Sequence, residues 1–169
     1  GRVLDRVLAA EGMRSESYLV FGRRYQGDLD GRGVEITFVP PQVLSPAQLN
    51  VYVDADLGTR AALGWERPLL DCGNCGRSAA AETDLGGIQV YAESGAENKV
   101  ERLLSQAALQ ETVVHLLENP EEQGLREIYL QPERVWLRAR PRRMSEEVFR
   151  RWLEDVLAVA ETGEETLSH

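Results

Sequence analysis

Cys72 and Cys75 lie in "LLDCGNCGRSAA", and the chain has no other cysteine. C-x-x-C followed by glycine is the shape of half a zinc knuckle, where glycine lets backbone amides turn toward thiolate sulfur. It is also the spacing of a thiol redox pair. A tetrahedral structural zinc needs four ligands. The chain offers no second cysteine pair, and its histidines are His115 and His169. Two copies sharing one ion across two knuckles would satisfy the count. A redox pair is expected to open a helix after a buried strand; "PLLDCGNCGRSAAAE" fits loosely, and the rest of the chain does not alternate strand and helix. The expectation is an exposed, glycine-permitted turn whose thiols are free or joined in a small local disulfide. No metal in the monomer and no cofactor are expected.

A second candidate is basic. Arg138, Arg140, Arg142, Arg143, Arg150 and Arg151 crowd a short stretch. On a strand, Trp136, Arg138 and Arg140 share one face, opposite Val135, Leu137 and Ala139. Arginine beside tryptophan can stack on it and can grip phosphate with two donors. Trp136, Arg138, Arg140, Arg142 and Arg143 are therefore the candidate patch for an anion, a lipid headgroup or a protein partner. The competing expectation, favoured by the surplus of acid, is a solvated face whose arginines pair with Glu127, Glu133, Glu146 and Glu147.

Other chemistry is thin. "VDAD" sets Asp54 and Asp56 on one side of a strand end, a spacing that could hold Mg²⁺ or Ca²⁺, but no further ligands cluster nearby. His115, flanked by Val114, Leu116 and Leu117, reads as a half-buried helix residue rather than a base. "GDLDGRG" lacks the following helix that a phosphate loop requires. No nucleophile has a plausible base. The chain is read as non-enzymatic.

Bulk properties narrow the context. The 169 residues suit a single domain, 1–169, able to bury its own core. A net charge of -9 disfavours nucleic acid as a partner, since such affinity comes from neutralising phosphates. Lys99 is the lone lysine among 19 basic residues, and with abundant Ala, Gly and Leu this points to a GC-rich bacterial genome. No apolar run reaches membrane-spanning length, so this segment itself is not expected to insert. The opening "GRVLDRVLAAEG" lacks an initiator Met and starts at helical spacing. It is read as a boundary, with an upstream anchor left open. The compartment, cytoplasmic or the extramembrane face of a membrane protein, is open too, and so is the oligomeric state.

The elements that must position these residues follow from periodicity. Val3, Leu4, Val7 and Leu8 predict a helix over 2–11, closed by Gly12. "SYLVFGRRYQGDLDGRGVEITFVPP" reads as two strands about a turn, with Tyr18, Val20, Val34, Ile36 and Phe38 as strand formers. A third strand spans 48–54. Over 57–85 helical turns are expected in "LGTRAALGWERPLL" and "GRSAAAETD". "GGIQVYAE" is a strand, Ser94 is expected to cap a helix through "GAENKVERLL", and a second helix covers 107–118. A hairpin pairs 125–130 with 135–140. Ser145 then caps a helix to residue 160, and the tail "TGEETLSH" should fray.

The run "YQGDLDGRGVEI", "IQVYAESGAENKVERLL", "LREIYLQPERVWLRAR" and closing helix, over roughly 20–160, resembles an uncharacterised family of bacterial domains that often follow predicted membrane helices. The resemblance implies an extramembrane module and no particular activity. The sequence as a whole reads as α+β: an antiparallel sheet, meander plus C-terminal hairpin, with helices on one face. Its expected function is interaction or structural support; the alternative is a thiol-redox or zinc-linked protein built on Cys72 and Cys75.

Overall fold

Helix α1 (Arg2–Ala10) buries Leu4, Val7 and Leu8, the stripe that its spacing predicts. A four-stranded meander follows: β1 (Arg14–Tyr18), β2 (Gly22–Leu29), β3 (Arg32–Val39) and β4 (Gln48–Asp54). The computed structural model describes residues 2–66, 72–82 and 84–167. "GDLDGRG" does turn the chain, at Asp30 and Gly31, both with positive φ. Two strands were expected ahead of Pro40, and there are three. Leu19 adopts φ 54, which closes a tight turn between Tyr18 and its partner Gly22. Val20, expected inside a strand, therefore sits on a hairpin tip and is 84% exposed.

The middle of the chain departs most from expectation. "AALG", expected within a helical turn, is strand β5 (Ala61–Gly64), buried throughout. It lies between two other strands, and burial on both sides overrides the helix preference of its alanines. Residues 67–71, the rest of that expected turn, lie outside the described residues. The described residues of "GRSAAAETD" form no helix: strand β6 (Cys75–Arg77) precedes a turn in which Glu82 N–H donates to Ala79 O at 3.2 Å. Strand β7 (Gln89–Glu93) buries Val90 and Ala92.

Helices α2 (Glu97–Leu104) and α3 (Ala107–Leu117) flank the expected break at Ser105. Ser94 is not the cap. Ala96 holds that position without a side-chain hydrogen bond, and Glu97 reaches back to accept Gly95 N–H at 2.8 Å. A single turn, α4 (Pro120–Gln123), leads into β8 (Gly124–Gln131) and β9 (Arg134–Pro141), the expected hairpin. Ser145 Oγ accepts Val148 N–H at 3.1 Å and so caps α5 (Glu146–Leu167) as anticipated. That helix outruns its expected end. Gly163 is buried where a Cβ would come within 2.9 Å of Leu57 Cδ2, and Glu164 accepts the Asp56 N–H and pairs with Arg32. These contacts hold as helix a tail that was expected to fray; residues 168 and 169 lie outside the described residues.

Among the described residues, nine strands join one antiparallel open sheet in the order β1-β2-β3-β4-β9-β8-β5-β7-β6. The fold is α+β, with α5 packed on β4 and β9 and with α1, α2 and α3 beside it. Ile36, Val51, Leu137, Ile128, Leu63 and Val90 run across six strands as one buried row. Phe149, Trp152, Val156 and Val159 of α5 supply the opposing apolar surface. Among the described residues no helix is long and apolar enough to cross a membrane.

Candidate functional site

Strand β9 alternates as its sequence predicts. Val135, Leu137 and Ala139 are buried toward the helices, while Trp136, Arg138 and Arg140 are half-buried on the other face. The register places Tyr52 of β4 and Tyr129 of β8 on either side of Trp136. The three rings stack, with centroids 5.4 Å and 4.6 Å apart. Trp136 Nε1–H donates to Asn50 Oδ1 at 2.9 Å, and Asn50 Nδ2–H donates to Thr37 Oγ1 at 3.2 Å. The Arg134 guanidinium lies 4.3 Å from the Tyr52 ring centre, within cation–π range. Burial raises the Tyr52 hydroxyl pKa, and the nearby Arg134 charge opposes that shift.

Beside this row lies a carboxylate. Glu127 is 5% exposed and accepts from the Tyr129 hydroxyl and from Arg140 Nη2 at 3.2 Å. Arg138 Nη1 is 3.6 Å from it. That nitrogen is shielded from solvent and makes no hydrogen bond among the described residues. Glu127, Tyr129 and Ala62 are buried, so this face closes over β8 and β5 and stays accessible over β4 and β9.

The candidate patch therefore divides. Trp136, Arg138 and Arg140 share the sheet face, whereas Arg142 and Arg143 are exposed on the link to α5. Arg142 Nη1 donates to Glu121 O at 2.7 Å. Of the acids expected as partners, Glu127 takes Arg138 and Arg140, and Glu146 takes Arg150 at 3.0 Å. Tyr52 is the partner that the sequence did not reveal, because only the long-range pairing of β4 with β9 brings it beside Trp136.

Arg126 is a second residue whose role depends on the folded chain. It is 1% exposed and faces the helices. Its guanidinium donates to Leu116 O at 2.7 Å, to Gly124 O at 2.9 Å and to Glu118 O, and sits 4.8 Å from the Trp152 ring centre. It thereby closes the carbonyl end of α3, where a helix leaves acceptors unpaired. Burial lowers its pKa to about 10, so it stays charged at neutral pH. The strand pattern carries a signal for this: Arg126 is in phase with the inward residues Ile128 and Leu130.

Cys72 and Cys75 are joined as a disulfide with Cα atoms 5.1 Å apart. They are half-buried rather than exposed, because Cys75 opens β6 and is aligned with Glu93 of β7. Asp54 and Asp56 are both exposed, and Arg32 donates to Asp54 O and pairs with Glu164 next to them. Among the described residues no three His, Cys, Asp or Glu side chains are grouped to hold a metal. His115 is half-buried on its helix, as expected, and its Nδ1 lies 2.8 Å from Asp155 Oδ2, tying α3 to α5. Burial raises the Asp155 pKa, against the pull of His115.

Compared with protein-family models, with curated proteins and with solved structures, the chain matches none.

Proposed function

We propose that the chain is a non-enzymatic interaction module of a bacterial protein, and that the sheet face around Trp136 receives an acidic segment of a protein partner. The carrying observation is the Arg138 side chain, 24% exposed on the accessible face, whose inner Nη1 stands 3.6 Å from Glu127. A partner carboxylate would meet the outer part of that guanidinium, beside the half-buried Trp136. Arg134, Arg138 and Arg140 line β9 on this face, with Glu127 beside them and Glu35 and Asp54 at its margins, so cation is concentrated along that one strand. Trp136 and Tyr52 add the flat amphipathic area that interface centres favour.

The test is an NMR titration with a peptide of alternating Asp and aromatic residues, set against its Asn counterpart. Shifts should map to the Trp136 indole N–H and Tyr52, weaken at least about tenfold for the Asn peptide, and vanish in Arg138→Gln. Equal binding of the two peptides, or shifts confined to another surface, would sink the reading.

The disulfide supports a second reading, a thiol–disulfide exchange protein. Both cysteines are bonded to each other at a short sheet-edge strand rather than deep in the core. Turnover of a peptide disulfide that is lost in the Cys72→Ser, Cys75→Ser double variant would establish it; no turnover by the unmodified chain would exclude it.

A further inference from the structure

We infer that one end of the sheet docks on the surface of a lipid bilayer through two apolar hairpin tips. The β1–β2 turn carries Leu19, Val20 and Phe21, which are 71%, 84% and 67% exposed. The β3–β4 loop carries Val43 and Leu44, which are 100% and 95% exposed. Arg23 is aligned with Phe38, and Val39 with Gln48, so both tips leave the same end of the sheet. Phe21 and residues 40–45 line one open cleft of about 570 Å³ between them. Large apolar side chains standing this far into water are uncommon on folded chains and mark contact surfaces.

Three observations favour a bilayer over a protein groove. The first is shape. The tips are convex, and the second is stiff: Pro40, Pro41 and Pro46 flank it, and Gln42 and Ser45 exchange backbone hydrogen bonds of 2.8 Å and 3.2 Å. Those bonds occupy the peptide N–H and C=O groups of Gln42 and Ser45, at the base of the tip, which would otherwise lose water near the interface. The second is composition. No charged residue occurs from 36 to 53, in a chain of which 28% is charged. Tyr18 and Phe21 stand at the base and edge of the tips, where aromatic rings suit the headgroup layer.

The third is the placement of acid. Asp30 lies in the β2–β3 turn, Asp54 ends β4 and Glu133 lies in the β8–β9 turn, all at the far end of the strands. Asp56 and Glu164 line a cleft at that end with Asp54, and Glu154 and Glu161 line one with Asp30. Strands of eight residues hold that pole ~25 Å from the tips. The Debye length at physiological salt is only ~8 Å. The tip end carries some acid of its own, Glu16 on β1 and Glu121, Glu122 and Glu147 near the Pro141 end of β9. Arg23, Arg142 and Arg143 stand among them, so the tips do not meet an anionic headgroup with an uncompensated share of the net charge of -9. The contact is a shallow dip of loop tips, distinct from a span and independent of the face around Trp136.

The experiment is vesicle flotation with phosphatidylcholine alone and with phosphatidylglycerol added. The unmodified chain should float with both. The Val20→Ser, Leu44→Ser double variant should bind at least tenfold more weakly with an unchanged melting curve, and Trp136→Ala should bind as the unmodified chain does. In Leu44→Trp, vesicles should shift the added indole emission to the blue. Absence of flotation, or binding that survives the double variant, would overturn the inference. So would binding abolished by phosphatidylglycerol. An emission shift that follows protein concentration without vesicles would do the same, by showing that another protein surface covers the tips.

Discussion

One residue out of phase along the same strands, the sheet carries two different rows. Toward the helices run Ile36, Val51, Leu137, Ile128 and Leu63; on the other face run Thr37, Asn50, Arg138, Glu127 and Gly64. The inward row is held by burial, which is non-directional and scales with area removed from water. The outward row is held by partners: a hydroxyl to an amide, an amide to an indole, a carboxylate to two guanidiniums. The part-exposed pairs, Thr37 with Asn50 and Asn50 with Trp136, add little net stability but fix geometry, whereas Glu127, 5% exposed, depends on keeping an arginine partner. The comparison teaches that the face around Trp136 can be altered at small cost to folding, which is what a working surface needs. The helix-covered face cannot.

Removing Trp152 from the covered face should have the largest effect. Trp152→Ala deletes a large aromatic that is 1% exposed and should lower stability by roughly 3 to 5 kcal/mol in urea unfolding. An unchanged melting temperature would show that α5 and the β8–β9 hairpin do not pack as one unit. Arg126→Ala should follow at about 3 kcal/mol, since it strands the carbonyls of Leu116, Glu118 and Gly124 in the interior. A loss no larger than that of a surface arginine would break the contrast between the faces. Trp136→Ala should cost only about 1 kcal/mol, the worth of its ring contacts, while removing peptide binding. If it destabilises as strongly as Trp152→Ala, the outward row is structural after all. The smallest effect is expected for Cys72→Ser with Cys75→Ser. So short a loop removes little unfolded-chain entropy, so calorimetry should find stability nearly unchanged.

Much of this was legible where period and turn chemistry act locally. The span of β4, the hairpin with Trp136 and Arg138 on one side, and the Ser145 cap all follow from neighbours in sequence. What could not be read depends on distant partners. β5 is a strand because β8 and β7 bury it from both sides, against the preference of Ala61 and Ala62. α5 runs on because Leu57 and Arg32 meet residues 163 and 164. Tyr52 joins Trp136 across a separation that no local pattern encodes. Arg126 is the exception, since its inward phase was visible and its charge made it easy to discount.

The hairpin formed by β8 and β9 sits in the centre of the sheet although it comes late in the chain. Leu137 of β9 must reach back to Val51 of β4, and Ile128 of β8 to Leu63 of β5. Closing such long loops precedes any reward from the contacts, which makes formation of this sheet slow compared with the local meander. On the ribosome β4 emerges with one edge bare, presenting backbone donors and acceptors beside Leu49, Val51 and Val53, and β8, once paired with β5, has the other. A chain halted before residue 134 would lack β9 and hold two half-sheets with β4 and β8 as open edges, and strand-to-strand association between such chains is the expected fate.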